Sequence, residues 1–265
     1  MSSGSSDQRI KTWSLNDGST LKTWNFYYNI KSFVVLNNGY LAIIFGTTYL
    51  SYVSVYDVSN GIEIAQTLYY ASIFTSIVLM QNSYLAVGEN TGNIYFGNQN
   101  DASNIDYFSA HTDAVVSLAV LQNGYLVSSS QGGEIKIWNA TFSYHALKQT
   151  IKNPTFAWSL AELKNGYLAC GLDDGTIKIW NIVNGSEVST LTGHFGSVNT
   201  LAIFGDSYLF SGGADETIKI WNTNGGSLIK SLHGHNGAVI FLTFLLDGSL
   251  ASGSADKTIK IWKLS

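Results

Sequence analysis

Two sets of residues of the kind that hydrolyse esters and amides stand in the chain at one spacing: His194, Ser211 and Asp215 ahead of Trp221, and His235, Ser252 and Asp256 ahead of Trp262. A serine nucleophile needs an exposed hydroxyl beside a space for the substrate carbonyl, a base within reach, and N–H donors aimed at the developing oxyanion. A set that returns once per repeat of the chain does not suit that task. The other reactive residues point the same way. Asp173, Asp174, Asp215 and Glu216 read as turn residues, His145 and His233 stand apart from any carboxylate cluster, and Cys170 has no basic neighbour to make it a thiolate. The chain has no phosphate-binding glycine motif and no Cys/His spacing suited to a metal. No catalytic residue, cofactor or metal site is expected, and the chain reads as a non-enzyme.

What positions these residues is an internal repeat. The phrase IKIW ends at Trp138, Trp180, Trp221 and Trp262, with weaker copies ending at Trp13, Tyr56 and Phe96, at intervals of 43, 40, 42, 42, 41 and 41 residues in chain order. Each period holds short alternating runs of β-formers parted by Gly, Asn and Asp, such as VNTLAIF, YLFSGG, TIKIWN and SLIKSL between Val198 and Leu232. Four strands per unit follow, lettered a to d. The single proline, Pro154, falls in the loop KNPT, so no strand is broken, and no segment has a helical apolar stripe. A four-stranded unit of this size cannot bury both faces alone. Units must stack face to face, and radial stacking into a ring satisfies all of them.

Composition sets the outer limits. With 265 residues, 45% hydrophobic and 12% charged, the chain can bury a large core and is not disordered. A net charge of -4, with 14 Lys and Arg spread thinly, argues against nucleic acid as a partner. No apolar run approaches the roughly 20 residues of a membrane helix, so no membrane association is expected. The opening MSSGSSDQR has no apolar core of a signal peptide and Cys170 has no second cysteine to pair with, which predicts an intracellular, cytoplasmic protein. The sequons at Asn139 and Asn184 would matter only outside the cell.

Gly193-His194 and Gly234-His235, the SGG and SGS strands, the turn residues Asp215 and Asp256, and the IKIW strand together resemble the WD-repeat (WD40) β-propeller family. The resemblance covers nearly the whole chain and is most specific in its second half. The dipeptide that names the family reads Trp-Asn at Trp138, Trp180 and Trp221 and Trp-Lys at Trp262, and Asn keeps part of the turn bonding of Asp. The resemblance implies an all-β protein, a β-propeller of four-stranded antiparallel blades forming one domain over residues 1–265. It also implies a hydrogen-bonded chain of His, Ser, Asp and Trp within a blade, here His194, Ser211, Asp215 and Trp221, and His235, Ser252, Asp256 and Trp262. Such chains satisfy buried donors and tie the turns together. Mapped in the same way, the unit ending at Trp138 has His111 and Ser128 but Gly132 in place of Asp. The unit ending at Trp180 has Asp174 but Cys170 at the serine position and no His, while Ile43 and Val87 hold that position in the units ending at Tyr56 and Phe96.

The start of the chain, SGSSDQRIKTW, repeats the phrase SGSADKTIKIW near its end. Aligned on Trp13 and Trp262, Ser3 falls on Ser252 and Asp7 on Asp256, so the chain enters a repeat at its second strand. Two arrangements follow. In one, seven sheets form, the first lacking its inner strand and the last its outer one. In the other, six blades close, TLKTWN at Thr20 to Asn25 caps the last sheet, and residues 1–13 hang free. Seven is preferred, because the early strands keep β-formers, a turn Asp and a Trp that would otherwise lose their burial. An opening inside a repeat also reads as a fragment of a longer protein.

Propellers of the resembled family act as rigid platforms, which implies a scaffold binding a peptide or protein segment without catalysis. The loops from d to a and the turns from b to c share one face, and there the chain places aromatic residues: Phe26, Tyr27 and Tyr28, Tyr69 and Tyr70, and Phe195. Tyr27, Tyr28, Tyr69, Tyr70 and Phe195 are the candidate contacts, with Asn199 and Asn236 as polar rim, because Tyr and Phe cover an extended segment well. Three other readings stand beside this one: the rings plug the weaker blades, the loops bind glycans, or the chain is a non-functional piece of a larger propeller.

Overall fold

The computed structural model describes residues 2–5, 8–14, 17–47, 49–70, 73–101, 104–141 and 144–264. Every regular element among them is a β-strand, in seven antiparallel sheets. Five sheets have four strands in chain order a to d, and each is called here by the residue that ends its repeat on strand c: Tyr56, Phe96, Trp138, Trp180 or Trp221. The Trp13 sheet has three strands, Ser2–Ser5, Arg9–Trp13 and Thr20–Asn25, which match b, c and d. The Trp262 sheet also has three, Val239–Phe244, Leu250–Ser254 and Ile259–Trp262, which match a, b and c. Six sheets therefore begin at strand a. Thr20–Asn25 lies against Arg9–Trp13, with Trp24 opposite Ile10. Asp7, aligned above with the turn aspartates, lies outside the described residues.

The chain divides into two compact units, Met1–Ser128 with Trp138–Ala146 and Ser129–Ile137 with Leu147–Ser265. In the first, Ala42, Ile44, Val53 and Val55 of the Tyr56 sheet meet Phe74, Ile77, Leu85 and Val87 of the Phe96 sheet. Ile10 of the Trp13 sheet packs with Ile30, Leu41, Ile43 and Phe45. In the second unit, Ala169, Ile177 and Ile179 meet Val198, Leu209 and Trp221, and Phe210, Ile218 and Ile220 meet Val239, Leu242 and Leu250. Within each unit these apolar faces are thus covered by the next sheet, which is what strands apolar on both faces require. Strand b lies deepest and strand d outermost: Tyr208–Gly213 is buried beyond its first residue, whereas most of Ser227–Leu232 is exposed.

Strand b can lie so deep because small residues let the neighbouring sheet approach. A Cβ on Gly212 would stand 2.5 Å from Val239 Cγ1, and one on Gly171 would stand 2.8 Å from the Val198 carbonyl oxygen. Hydroxyls on strand a then tie sheet to sheet. Thr200 Oγ1 accepts from the Leu242 amide at 3.2 Å, and Ser159 Oγ donates to the Val198 carbonyl at 3.3 Å. The a–b ladder slips by one residue at this point of the strand, leaving Trp158, Asn199 and Ile240 bulged in the second unit and Lys31 and Thr75 in the first, each followed by a hydroxyl residue except Ile240, which precedes Phe241. A bulge takes its side chain out of the ladder's alternation and re-aims it.

Candidate functional site

In the Trp221 sheet the imidazole of His194, at the d to a loop, reaches both strand b and the b to c turn. Its Nε2 lies 2.7 Å from Ser211 Oγ, and Trp221 Nε1 donates to the same oxygen at 2.8 Å. His194 Nδ1 lies 2.9 Å from Asp215 Oδ1, and Asp215 also accepts from the Phe195 amide and from Thr217. A carboxylate acceptor assigns the proton to Nδ1, so Nε2 accepts the Ser211 hydroxyl proton. This is the order of donors in a hydrolytic triad. Ser211, however, is fully buried and its oxygen holds the indole, so no substrate carbonyl has room beside it. Burial lowers the pKa of His194 and outweighs the pull of Asp215. Burial would by itself raise Asp215, but hydrogen bonds from His194, the Phe195 amide and Thr217 hold it below the ordinary carboxylate range. The Trp262 sheet repeats the arrangement, with 2.8 Å from His235 Nδ1 to Asp256, 2.7 Å from Nε2 to Ser252 and 2.8 Å from Trp262 Nε1 to Ser252.

The other sheets hold parts of this chain. His111 Nε2 lies 2.7 Å from Ser128 Oγ, which also accepts from Trp138 at 2.9 Å, while Gly132 offers no carboxylate. In the Trp180 sheet Cys170 is fully buried, and burial pushes its thiol pKa well up, so it carries no thiolate. Asn153 holds the His position there, a substitution not recognised in the sequence: its amide donates to the Gly133 carbonyl at 2.9 Å, as the His111 amide does to Gly92. Ile43 and Val87 are buried at the serine position of their sheets. Among the described residues no group of three His, Cys, Asp or Glu side chains is placed to hold a metal, and no helix is long and apolar enough to cross a membrane.

The aromatic candidates fare differently from one another. Tyr27 is 94% exposed, but Tyr28 packs edge-on against Tyr52 with centroids 5.3 Å apart, and Phe26 packs on Phe45. Tyr69 and Tyr70 are not loop residues: strand d runs Ile62–Tyr70 and Tyr70 pairs with Ser51, because the β-forming run continues through them. Their side chains lie outside the described residues. His145 stands apart from any carboxylate cluster, as expected, but has one acid group beside it. It stacks on both Phe96 and Phe108, with centroids 5.1 and 4.5 Å away, and its Nε2 lies 3.5 Å from Asp106. Sequence spacing missed this pair because the two residues sit on strands d of successive repeats. His233 is exposed.

In the second unit Phe195 is 86% exposed while its amide is held by Asp215. Asn236 is exposed and its amide is held likewise by Asp256 at 3.0 Å. Asn199 is less available than a rim residue: its Nδ2 donates to the Val239 carbonyl at 3.1 Å and its Oδ1 accepts from Ser197. Two bulged residues were missed. Trp158, on strand a of the Trp180 sheet, is half-exposed, with its Nε1 donating to Asp173 at 2.8 Å and its ring edge-on to Phe156 at 5.0 Å. Ile240, at the equivalent bulge of the Trp262 sheet, is also exposed. The signal was present in the triplets Ala157-Trp158-Ser159 and Val198-Asn199-Thr200, an apolar residue and a hydroxyl flanking a variable one. The turn bearing Asp173 abuts the loop of Phe195, since a Cβ on Gly175 would stand 2.8 Å from the His194 carbonyl and 2.9 Å from that of Gly196. Trp158, Asp173 and Phe195 therefore belong to one surface.

Residues 103–139, 148–181, 185–222 and 226–263 match the family model WD40, described as WD domain, G-beta repeat. Among solved structures, the chain is similar to the computationally designed Ika8 protein (crystal packing No.1 in P63), with a TM-score of 0.75 and 22% identity over 99% of this chain and 92% of that chain. That likeness is one of fold alone. No curated protein sequence matches the chain.

Proposed function

The chain belongs to the WD40 family, and from that premise we propose that it is a non-catalytic scaffold that binds an extended segment of a partner protein. The binding surface is the one formed in the second unit by Trp158, Phe195 and Ile240, with Asp173, Asn199 and Asn236 as its polar members. Tyr27 serves the same role in the first unit, with Tyr28 next to it in sequence and Tyr69 and Tyr70 at the corresponding place one repeat later.

The observation that carries this reading is Trp158, a large ring presented to solvent by a bulge while its N–H is fixed on Asp173. A ring held in one rotamer before binding loses little conformational entropy when a partner covers it, and such rings dominate interface energetics. Phe195 is prepared in the same way, because the buried His194–Asp215 pair anchors the loop beneath it. The hydrogen-bonded chain serves the surface as a foundation, not as a reaction centre.

The test uses Trp158→Ala and Phe195→Ala in the full chain, compared for Tm and for retention of the partners that the wild-type chain captures. The expected result is a weakening of about tenfold or more with Tm little changed, each ring being worth about 1–2 kcal/mol. Retention equal to wild type by both variants would sink the proposal, and a fall in Tm without loss of capture would make the rings structural plugs.

A further inference from the structure

Phe195 stands between two b to c turns that carry acid side chains. Its amide donates to Asp215 of its own sheet, and a Cβ on the adjacent Gly196 would stand 3.2 Å from Ala214 Cβ. On the other side the loop meets the turn of Asp173, Asp174 and Gly175. Asp215 is taken up by His194, but Asp173, Asp174 and Glu216 are exposed. Elsewhere in this unit Glu187 is paired with Lys178 and Asp206 with Lys164, whereas none of these three has an ion-pair partner among the described residues. Asp173 gives Oδ1 to the Trp158 indole and Asp174 gives Oδ1 to Thr176, which leaves an oxygen of each to solvent.

The ring beside them differs from the other indoles in the same sense. Lys11 Nζ lies 5.5 Å from the centroid of Trp13, Lys22 Nζ 6.0 Å from that of Trp24 and Lys178 Nζ 5.7 Å from that of Trp180. Lys178 meets an indole face and the Glu187 carboxylate at once, so the chain itself shows how a cation is held by the two together. Trp158 has the carboxylate at its N–H, and no lysine or arginine among the described residues lies over its ring. A carboxylate that accepts the indole N–H pushes electron density toward the ring, which strengthens its attraction for a cation.

We infer that the partner segment is basic, with a lysine or arginine set over Trp158 against Asp173 and Asp174 and a second basic residue beside Glu216. The inference rests on the binding surface proposed above and names the chemistry of what binds there. Charge complementarity decides between segments: an acidic one would face three carboxylates, and an apolar one would desolvate them without a partner. The turn of the Trp262 sheet carries Lys257, so the basic character belongs to the stretch from Trp158 to Glu216.

The experiment adds the full chain to fluorescein-labelled peptides GAKARAKAG and GAQAQAQAG and reads anisotropy at about 50 and 300 mM salt. Saturable binding of the basic peptide is expected, about tenfold or more tighter than the neutral one and weaker at the higher salt. The double variant Asp173→Asn with Glu216→Gln removes two charges and keeps an acceptor for the Trp158 N–H, so the basic peptide should bind about fivefold or more weakly with Tm little changed. The inference is overturned if the basic peptide does not bind, if the two peptides bind alike, or if the double variant binds the basic peptide as the wild type does. Captured partners that are kept by the double variant and lost by Trp158→Ala would overturn the basic segment and leave the scaffold reading standing. Partners kept by both variants would overturn both.

Discussion

Cys170 stands to Trp180 as Ser211 stands to Trp221, in the same strand register, yet the buried Trp180 indole N–H has no acceptor among the described residues. Both side-chain polar atoms of the buried Asn153 are in the same condition. One sheet thus holds the positions of the hydrogen-bonded chain without its bonds, although Asp174 already accepts from Thr176 as Asp215 does from Thr217.

Completing that chain should stabilise the protein. Cys170→Ser gives the indole an acceptor and is expected to add about 0.5–1.5 kcal/mol, a typical net hydrogen-bond contribution. Asn153→His together with Cys170→Ser should add more than the two singles summed, since each needs the other to complete the link to Asp174. Urea denaturation measures all three. A destabilised Cys170→Ser would show that the site is packed around sulfur and has no place for a polar oxygen.

Breaking the intact chain is the converse. Ser211→Ala leaves the Trp221 N–H buried and unsatisfied, at an expected cost of about 1–3 kcal/mol. Val87→Ser, at the equivalent position of a packed sheet, is expected to cost a similar amount for the opposite reason, because it buries a hydroxyl among apolar side chains. Equal stability of Ser211→Ala and wild type in the same urea titration would refute the role given to this hydroxyl.

Acid should weaken the fold in two stages. His194 and Asp215 both have folded-state pKa values below their ordinary ones, so each takes up a proton more readily when unfolded and the contribution of each is lost as pH falls. For His194 the loss begins as pH drops below about 6.5, and for Asp215 below about 3.9, the unfolded values. Between pH 7 and 9, roughly, neither changes stability. Denaturation midpoints compared at about pH 7.5 and 5 should fall in the wild type and fall less in His194→Gln.

The b to c turns offer a further check. Gly92, Gly133 and Gly175 take positive φ there, but Glu216 and Lys257 hold the same place in the last two turns with φ of 66° and 68°. A side chain in this region is strained by roughly 1–2 kcal/mol. Glu216→Gly relieves that strain and loosens the unfolded chain, so a net gain of up to about 1 kcal/mol is expected, read as a rise in Tm.

The sequence made the sheets legible because each strand is short, alternating and bounded by turn residues, and because IKIW marks every third strand of a repeat. The serine, cysteine, isoleucine and valine at one position of strand b could be ranked by alignment alone. The surface was harder to read. Tyr28 and Tyr69 look alike in sequence, and only the structure shows that one packs against Tyr52 and that the other belongs to strand d. Trp158 does not stand out in the sequence, because a bulge shifts the inside–outside pattern by one and leaves no mark in composition. The pairing of His145 with Asp106 joins residues 39 positions apart across two repeats, beyond what spacing within one repeat reveals.

The bulges also bear on how such a surface changes over generations. Lys31, Thr75, Trp158, Asn199 and Ile240 are five different kinds of side chain at one structural position, while the apolar residue before each is buried. A residue outside the ladder can be replaced without breaking a ladder pair, so the cost of replacement is limited to its own side-chain bonds, such as Asn199 to the Val239 carbonyl or Thr75 to Gly88. The side chain shown to solvent can therefore change at these sites one codon at a time while the strand ladder stays fixed.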